Sequence, residues 1–497
     1  MSDSTIVVLI VVLYLVACLV VGMLPGKRGS QSATGYVAGD RTLGLLVMYF
    51  ITGATIFSAF AFLGAPERAY SRGVGACYIL GFGTLGFLPF YFLGPRAARL
   101  GKEFGFVTQA EMVARRFNTR GIALVMALVS ALAFVPYLAI QMQGAGLVLE
   151  IVTEGTVSRE VGAAVVYAVV LTYVLKSGVL GVGWTNTFQG IFMLVLAWTM
   201  GLYLPHALYG GIEPMFDAIE AARPELLRAP GLDGKGQSRT WSSYTGDVLV
   251  SMIGFSAWPH LFMKAFSARD ERTLKRTVVL YPTFQIFLVP LLLVGFAGVL
   301  FQPAPEDANQ ILPHILMQSE VSPYLVGLFC AGAVAASMSS GDTIVHATAS
   351  ILVRDGVVAG LGRKLDPQAE RRWIRMFLLP ILLASYLLAT TYKDTLVDLL
   401  LYAYGPVAQF APVIVATLFV RRATGPGVLA GLVAGISVLF LFLKWPEWRP
   451  VEMHAGLYAL AANVLAMIVV SRATYRAGEA GDERFLEVAA GRAGGAG

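Results

Sequence analysis

Apolar residues follow one another in long runs along almost the whole chain, and polar residues concentrate in the segments between these runs. About 20 apolar residues in an α-helix cross the hydrocarbon core of a bilayer. Thirteen runs have this character, and each predicts a membrane-spanning helix. Their approximate bounds are 5–24, 43–64, 74–95, 121–151, 160–178, 184–208, 240–265, 277–301, 322–353, 372–391, 395–420, 424–444 and 453–471.

The composition agrees with an all-α integral membrane protein embedded in a lipid bilayer. Hydrophobic residues make up 57% and charged residues 14% of the 497 residues, and mean hydropathy is +0.69. A soluble globular protein carries roughly 25% charged residues. The pattern therefore excludes a soluble enzyme, a disordered protein and a nucleic-acid binder, despite the net charge of +6. The five histidines do not cluster in the sequence, so we expect no enzymatic activity.

Lysine and arginine predict the orientation, because cytoplasmic loops are enriched in these residues. With thirteen spans, one set of alternate loops and the C-terminal tail hold 27 of the 37 basic residues. We therefore expect a multi-pass protein of the inner cell membrane, with its N-terminus outside and its C-terminus in the cytoplasm. Four of the remaining basic residues lie in the long loop 209–239.

Two spans carry glycine and proline where a helix would otherwise continue. Span 2 (43–64) contains Gly53 and is followed by Pro66, and span 7 (240–265) has the same residue types within 254–259. Either alone is an ordinary kink or packing site. The two lie five spans apart, so each opens a five-helix unit, and an odd number of helices inverts the second unit. Interrupted helices at matching positions of inverted repeats indicate a transporter binding site.

This symmetry predicts six units along the chain. They are an N-terminal extra helix and loop (1–42), a first five-helix repeat (43–208), an extracytoplasmic loop (209–239), a second five-helix repeat (240–420), two C-terminal extra helices (421–471) and a disordered cytoplasmic tail (472–497).

Span 9 (322–353) carries a candidate cation site. Ala336, Ser339 and Ser340 share one helix face at spacing i, i+3 and i+4. One carbonyl and two hydroxyls are hard oxygen ligands, which suit alkali cations. Carbonyls near Ala54 and Phe57 in the interrupted span 2 would complete five ligands. Alternatively, these serines bond back to their own helix or serve helix packing.

Several stretches, in order along the chain, resemble the sodium:solute symporter family of glucose, proline, pantothenate and monocarboxylate permeases. A glycine-arginine motif precedes the second span. The matching stretches are 36–44, 53–73, 136–144, 184–190, 258–260 and 335–340. The resemblance implies a leucine-transporter-like 5+5 inverted-repeat core. It also implies one sodium ion between spans 2 and 9, bound by the carbonyls of Ala54, Phe57 and Ala336 and the hydroxyls of Ser339 and Ser340.

Two positions depart from relatives of this family. Ile56 stands where proline carriers have an aspartate, and Asn186 stands where many relatives have an aspartate that contributes to a second cation site. We therefore expect a single sodium ion per cycle and no organic cofactor. Asp342 is a candidate coupling carboxylate, because an ionisable group within a membrane span is costly unless it functions. The alternative is a carboxylate paired near the water-facing end of its helix.

Polar and aromatic groups around the interrupted helices are candidates for the solute site. They are Thr55, Ser58, Tyr137, Gln141, Ser256, Trp258, His260 and Gln409. These groups are too few for a sugar, and no lysine or arginine lies at mid-span to bind a dicarboxylate. A small monocarboxylate such as pyruvate, lactate or acetate fits better, since sodium and a helix N-terminus can balance its charge. The stretch 53–73 also resembles monocarboxylate permeases.

The sequence leaves alternatives open. One is a sodium- or proton-coupled symporter for a proline-like amino acid or for pantothenate. Another is a solute-sensing receptor without net transport, although the short segment after the last span does not favour a signalling domain. We expect sodium-coupled uptake by alternating access, carried out by a monomeric unit.

Overall fold

The computed structural model describes residues 2–27, 33–305, 308–318, 321–392, 396–476 and 483–492. This part of the chain is helical, and its only β-type pairings are two isolated bridges, Leu43 with Ala268 and Leu232 with Ser238.

The described residues form 23 α-helices. The first eight are α1 (Asp3–Met23), α2 (Ala33–Ala38), α3 (Leu45–Ile56), α4 (Ala65–Arg72), α5 (Tyr78–Phe87), α6 (Phe90–Phe104), α7 (Gln109–Phe117) and α8 (Arg120–Val152). The next seven are α9 (Arg159–Tyr209), α10 (Ile212–Ala222), α11 (Trp241–Phe255), α12 (Pro259–Phe262), α13 (Lys264–Ser267), α14 (Glu271–Gln285) and α15 (Leu288–Ala297). The last eight are α16 (Ile311–Gln318), α17 (Pro323–Ile351), α18 (Pro367–Thr391), α19 (Leu396–Ala408), α20 (Phe410–Phe419), α21 (Gly425–Lys444), α22 (Ala455–Thr474) and α23 (Glu483–Ala490). Two π-helical segments span Phe60–Gly64 and Leu352–Gly360, and six 3-10 helices span Leu24–Lys27, Gly39–Arg41, Gly73–Cys77, Pro224–Leu227, Ala308–Gln310 and Pro446–Trp448.

Within the described part, nine helical stretches are long and apolar enough to cross a membrane, or ten if one bent pair counts as a span. The chain is therefore a multi-pass membrane protein. The count of thirteen spans and the 5+5 repeat stay predictions. The count of helical stretches is lower than thirteen for two reasons. Some predicted spans are interrupted, as at α11 and α12, and two predicted spans lie in the single helix α9.

Helix α9 contains the predicted spans 160–178 and 184–208, and it reverses at Gly178. Gly178 has φ +56° and ψ −146°, a backbone conformation that only glycine adopts readily. Tyr173 and Asn186 lie on either side of this residue, and both bind the same carboxylate, that of Asp342. In a straight helix they would be about 20 Å apart. The chain therefore folds back at Gly178, which keeps the two predicted spans separate.

Both predicted interruptions are confirmed. Helix α3 ends at Ile56, and the chain resumes after Phe57 and Ser58 with a bend of 55°. Helix α11 ends at Phe255, and α12 begins at Pro259.

The expectation of a disordered tail over 472–497 is wrong for α23. Phe485, Val488 and Ala489 are buried on one side of this short helix. The Phe485 ring stacks on Phe104 with centroids 5.9 Å apart, and Arg99 donates to the carbonyl of Ala489 at 2.8 Å. Apolar burial and a bound C-terminal carbonyl explain why this segment folds onto α6. Residues 477–482 and 493–497 lie outside the described part.

Helix α17 lies in the protein interior. Every residue from 329 to 351 is buried, and the helix packs against α1, α8 and α9. Its middle nevertheless carries serines, threonines, a histidine and an aspartate. Buried polar groups in a membrane protein need partners, and these partners define the candidate site.

Candidate functional site

The interruption after α3 releases backbone carbonyls that a continuous helix would use. The amide of Ser58 turns to the carbonyl of Ile56 at 2.9 Å, which frees Ala54. The amide of Ala59 turns to the side-chain oxygen of Gln141 at 2.9 Å, which frees Thr55. Two acceptors are therefore available to a neighbouring helix at this point.

Two serines of α17 bind these free carbonyls. Ser339 donates to the carbonyl of Ala54 at 2.9 Å, and Ser340 donates to that of Thr55 at 2.6 Å. The Ser339 hydroxyl also lies 3.0 Å from the carbonyl oxygen of Ala336. Hydroxyl and carbonyl oxygens of two helices thus meet at one point, and hard oxygens are the ligands that an alkali cation requires.

Four of the five predicted cation ligands lie at this junction, and Phe57 adjoins it. Phe57 follows the end of α3, and among the described hydrogen bonds its carbonyl accepts none. Its ring packs against Phe284 and Phe287, with centroids 4.7 and 4.6 Å away. The carbonyl of Thr55 is an additional oxygen at the junction. Sequence spacing could not identify it, because its availability depends on Gln141.

Asp342 lies beside this junction, fully buried, and accepts several hydrogen bonds. Tyr173 donates at 2.8 Å, Thr185 at 3.1 Å, and the amide of Asn186 at 3.1 Å. The Thr343 hydroxyl is a further neighbour at 3.2 Å. The carboxylate is therefore held by hydroxyl and amide donors deep in the protein, which excludes the alternative of a carboxylate at the water-facing end of its helix.

Thr55 belongs to this polar cluster and is not among the groups near Trp258. Its hydroxyl donates to Ile51 at 2.5 Å and lies 3.2 Å from the oxygen of Asn186 and 3.1 Å from Thr343. The prediction that the Thr55 side chain contacts the solute therefore has no support from this geometry. The side chain instead links the cation junction to Asp342.

Aromatic rings form a second part of the site, beside the interruption of span 7. The Trp258 ring lies 5.1 Å from that of Tyr137 and 5.4 Å from that of His260. Phe134 and Tyr404 pack on the same indole, each at 5.5 Å. The Nδ1 atom of His260 is buried without a hydrogen-bond partner in the described part of the chain. The cluster therefore combines large apolar surfaces with one ring nitrogen that has no described hydrogen-bond partner.

Ser58 and Gln141 connect the two parts. The hydroxyl of Ser58 is buried and has no partner among the described residues. The Gln141 side chain bonds Ala59 and donates to the carbonyl of Tyr137 at 3.1 Å. Gln141 thus supports the interruption of span 2 and joins it to the helix that carries Tyr137.

Two predicted solute residues bind other parts of the protein. The hydroxyl of Ser256 donates to the carbonyl of Gly86 on α5. Gln409 bonds the carbonyls of Gly405 and Gly456, at 3.2 and 3.3 Å, and the amide of Asn463. Its partners lie on α19 and α22, so it anchors an outer helix.

Sequence reasoning missed three residues of this region. Phe134 and Tyr404 line the aromatic cluster, and Lys264 is buried one helical turn beyond His260. The spacing of His260 and Lys264, i and i+4, was a usable signal. The position of Lys264 at the end of predicted span 7 (240–265) instead favours a residue of the cytoplasmic side.

The chain is similar over most of its length to known transport proteins. The family model for the sodium:solute symporter family matches residues 36–435. The chain is 27% identical to the uncharacterized symporter YhjB of Bacillus subtilis, over 92% of this chain and 94% of that protein. It is 23% identical to a monocarboxylate transport permease protein of Rhizobium johnstonii, over 87% and 89% of the two chains.

A solved structure has the same fold. A sodium-coupled sialic acid symporter in a substrate-bound, outward-open state superposes with a TM-score of 0.80, covering 94% of this chain and 98% of that one. Sequence identity is 19%, so the likeness concerns the fold alone.

Proposed function

Because this chain belongs to the sodium:solute symporter family, we propose that it carries a small monocarboxylate into the cell together with one sodium ion. Its general activity is secondary active symport across a membrane, and it is not an enzyme. Pyruvate, lactate and acetate are the proposed solutes. The inner membrane, the external N-terminus and the cytoplasmic C-terminus are part of the same proposal.

One observation carries the sodium site. The hydroxyls of Ser339 and Ser340 reach carbonyls that the interruption of span 2 has released. An ion bound there would link α3 to α17. Sodium affinity and the packing of these two helices would therefore depend on each other. We assign Ala54, Phe57, Ala336, Ser339 and Ser340 as its ligands, with Thr55 supplying a further carbonyl.

Asp342 supports a cation at this place electrostatically. Thr343 and Thr55 connect its carboxylate to the serines through contacts of 3.1 to 3.3 Å. A negative charge near a cation is favourable, and more so because the surroundings are buried. We propose that Asp342 raises sodium affinity from outside the ligand set.

The solute site follows from the neighbouring aromatic cluster. Trp258, Tyr137 and His260 offer large apolar surfaces and few hydrogen-bonding groups. Such a surface suits a short organic acid better than a sugar, which would leave many hydroxyls unpaired. The similarity to a monocarboxylate transport permease protein supports the same solute class.

The test is uptake into liposomes that contain the purified full-length protein. Labelled pyruvate, lactate, acetate, proline, pantothenate and glucose are supplied under an inward sodium gradient, an inward proton gradient or neither. We expect saturable, sodium-driven uptake of at least one monocarboxylate. Uptake of proline or pantothenate instead would replace the solute assignment, and uptake driven by protons alone would overturn the sodium assignment. Sodium-dependent binding without uptake would indicate a sensor.

A further inference from the structure

Lys264 is a buried lysine whose charge has no partner in the described structure. The residue is 4% exposed. Among the described residues, no hydrogen bond or ion pair involves its ammonium group. An ammonium ion taken out of water without a partner costs several kcal/mol. Such a group inside a membrane protein is a functional-site candidate.

The position of Lys264 directs it toward the aromatic cluster. It follows His260 by four residues, and Met263 between α12 and α13 keeps right-handed helical backbone angles, so the two side chains lie on the same side of this segment. His260 lies against Phe134 and Tyr137 of α8, with ring centroids 5.3 and 6.1 Å away. Lys264 therefore lies on the same side of this segment as a residue of the proposed solute site.

In the part of the chain that the structure describes, no carboxylate forms an ion pair with Lys264. The ammonium charge acts electrostatically on His260, on His346 and on Asp342. The two histidines carry no negative charge. Both oxygens of Asp342 already accept hydrogen bonds, from Tyr173, Thr185 and Asn186. Asp342 attracts Lys264 at long range and forms no salt bridge with it.

Lys264 and His260 together present two nitrogen groups without described partners on one face. The buried Nδ1 of His260 is one of them, and the ammonium of Lys264 is the other. A carboxylate has two oxygens and a single negative charge, and it can satisfy both nitrogen groups at once. A neutral amide of the same shape supplies no charge to the ammonium.

We propose that Lys264 binds the carboxylate of the transported solute, with His260 beside it, and thereby selects organic anions over their neutral analogues. This inference rests on the proposed function and adds to it a residue that recognises the solute's charge. It also specifies that solutes whose acid group is blocked are not carried.

The experiment measures equilibrium binding to the purified full-length protein in saturating sodium and, for the wild type, also without sodium. Labelled pyruvate, lactate and acetate are each competed with the unlabelled acid and with its amide. The variants are Lys264→Gln, Lys264→Arg and the control Lys102→Gln, which removes one positive charge from an exposed position. Thermal stability is measured for each variant with and without sodium.

We expect Lys264→Gln to weaken acid binding at least about tenfold, corresponding to about 1.4 kcal/mol, and to abolish the preference for acid over amide. Lys264→Arg should retain that preference, and Lys102→Gln should match the wild type. Without solute, Lys264→Gln should be at least as stable as the wild type, because an unpaired buried charge has been removed. Sodium should still stabilise it.

Two results would overturn the inference. One is wild-type acid affinity in Lys264→Gln. The other is lower stability of that variant without solute, which would make Lys264 the structural counter-ion of Asp342. If the wild-type protein binds none of the three acids, the proposed solute class fails and the inference fails with it. If it binds them without help from sodium, the coupling proposal alone fails.

Discussion

At the cation junction, individual serine hydroxyls supply hydrogen bonds to backbone carbonyls that water does not reach. Ser339 and Ser340 satisfy two carbonyls that the interruption of span 2 has released. In lipid-surrounded protein, an unsatisfied carbonyl costs several kcal/mol. The serines therefore serve the fold as well as the proposed ion, and mutations must be assessed for both effects.

Replacing Ser340 by alanine removes one oxygen from the proposed sodium site. We expect the apparent sodium dissociation constant to rise about tenfold, because a contact to a charged group contributes about 1.5 kcal/mol. Titrating sodium against thermal stability measures this constant. Ser350→Ala is the matched control, since Ser350 bonds only the carbonyl of His346 in its own helix. Equal sodium constants in both variants would refute the site.

Asn186 and Asp342 form a hydrogen-bonded pair, and a double variant can swap the amide and the carboxylate between the two positions. Their side chains are 3.1 Å apart. Asn186→Asp should place two carboxylates together and lower stability by on the order of 3 kcal/mol. Adding Asp342→Asn should restore most of that loss and of the sodium affinity, because the site again holds one carboxylate. Thermal unfolding of the two single variants and the double variant measures the coupling. Additive effects would show that the two positions act independently.

At the scale of elements, helix interruptions decide where chemistry can occur. The break after Ile56 exposes carbonyls, and Gln141 of α8 completes it by accepting from Ala59. The reversal at Gly178 lets Tyr173 and Asn186 meet one carboxylate. Each interruption thus creates a polar position inside the membrane that a regular helix would not provide.

Gly178→Ala tests the reversal. The added methyl carbon would lie 2.6 Å from the ring and the carbonyl of Tyr36, and φ of +56° is strained for alanine. We expect a loss of at least about 2 kcal/mol in thermal stability and weaker sodium binding, because the partners of Asp342 would move. Gly81→Ala is the control, since no described atom outside the backbone of its own helix and its chain neighbours lies within 4 Å of its added carbon. A similar result for both variants would contradict this account.

At the scale of the whole molecule, the two predicted repeats meet on the predicted outer face. Asp247 of α11 binds Arg239 at 2.7 Å and lies 3.9 Å from Arg68 of α4. All three side chains are largely buried. On the opposite face, Arg41 binds the carbonyls of Gly101, Phe106 and Phe266. Segments predicted for one side of the membrane therefore pack with each other.

Asp247→Asn tests the link between the repeats. The substitution removes the negative charge that faces the buried guanidinium groups of Arg68 and Arg239. We expect a loss of about 3 kcal/mol in stability. Glu225→Gln is the control, because its pair with Arg223, at 2.5 Å, is half-exposed and contributes less than about 1 kcal/mol. Thermal unfolding in detergent compares them. Equal losses would show that burial does not strengthen the Asp247 contacts.

The sequence by itself determined the membrane class, the family and the face of α17 that carries the serines. Each follows from local information: the length of apolar runs, a motif order, and the spacing of Ala336, Ser339 and Ser340 in one helix. The interruption of span 7 was also predictable, because α12 begins at Pro259 and proline constrains its own backbone. The break in span 2 falls at Phe57 and Ser58, between the glycine and the proline that suggested it. The expectation for the tail failed because the burial of Phe485 depends on Phe104, which is distant in sequence.

Tertiary structure alone decided which side chains face each other. Thr55 bonds the Asp342 cluster, Gln409 bonds an outer helix, and Lys264 is buried within the protein. Thr55 and Thr343, for example, are 288 positions apart in the sequence. Hydrogen bonding requires contact within about 3 Å, and contact between distant segments depends on how the helices pack. Residue types therefore indicated the chemistry of the site. The hydrogen-bond partner of each side chain could be identified only from the fold.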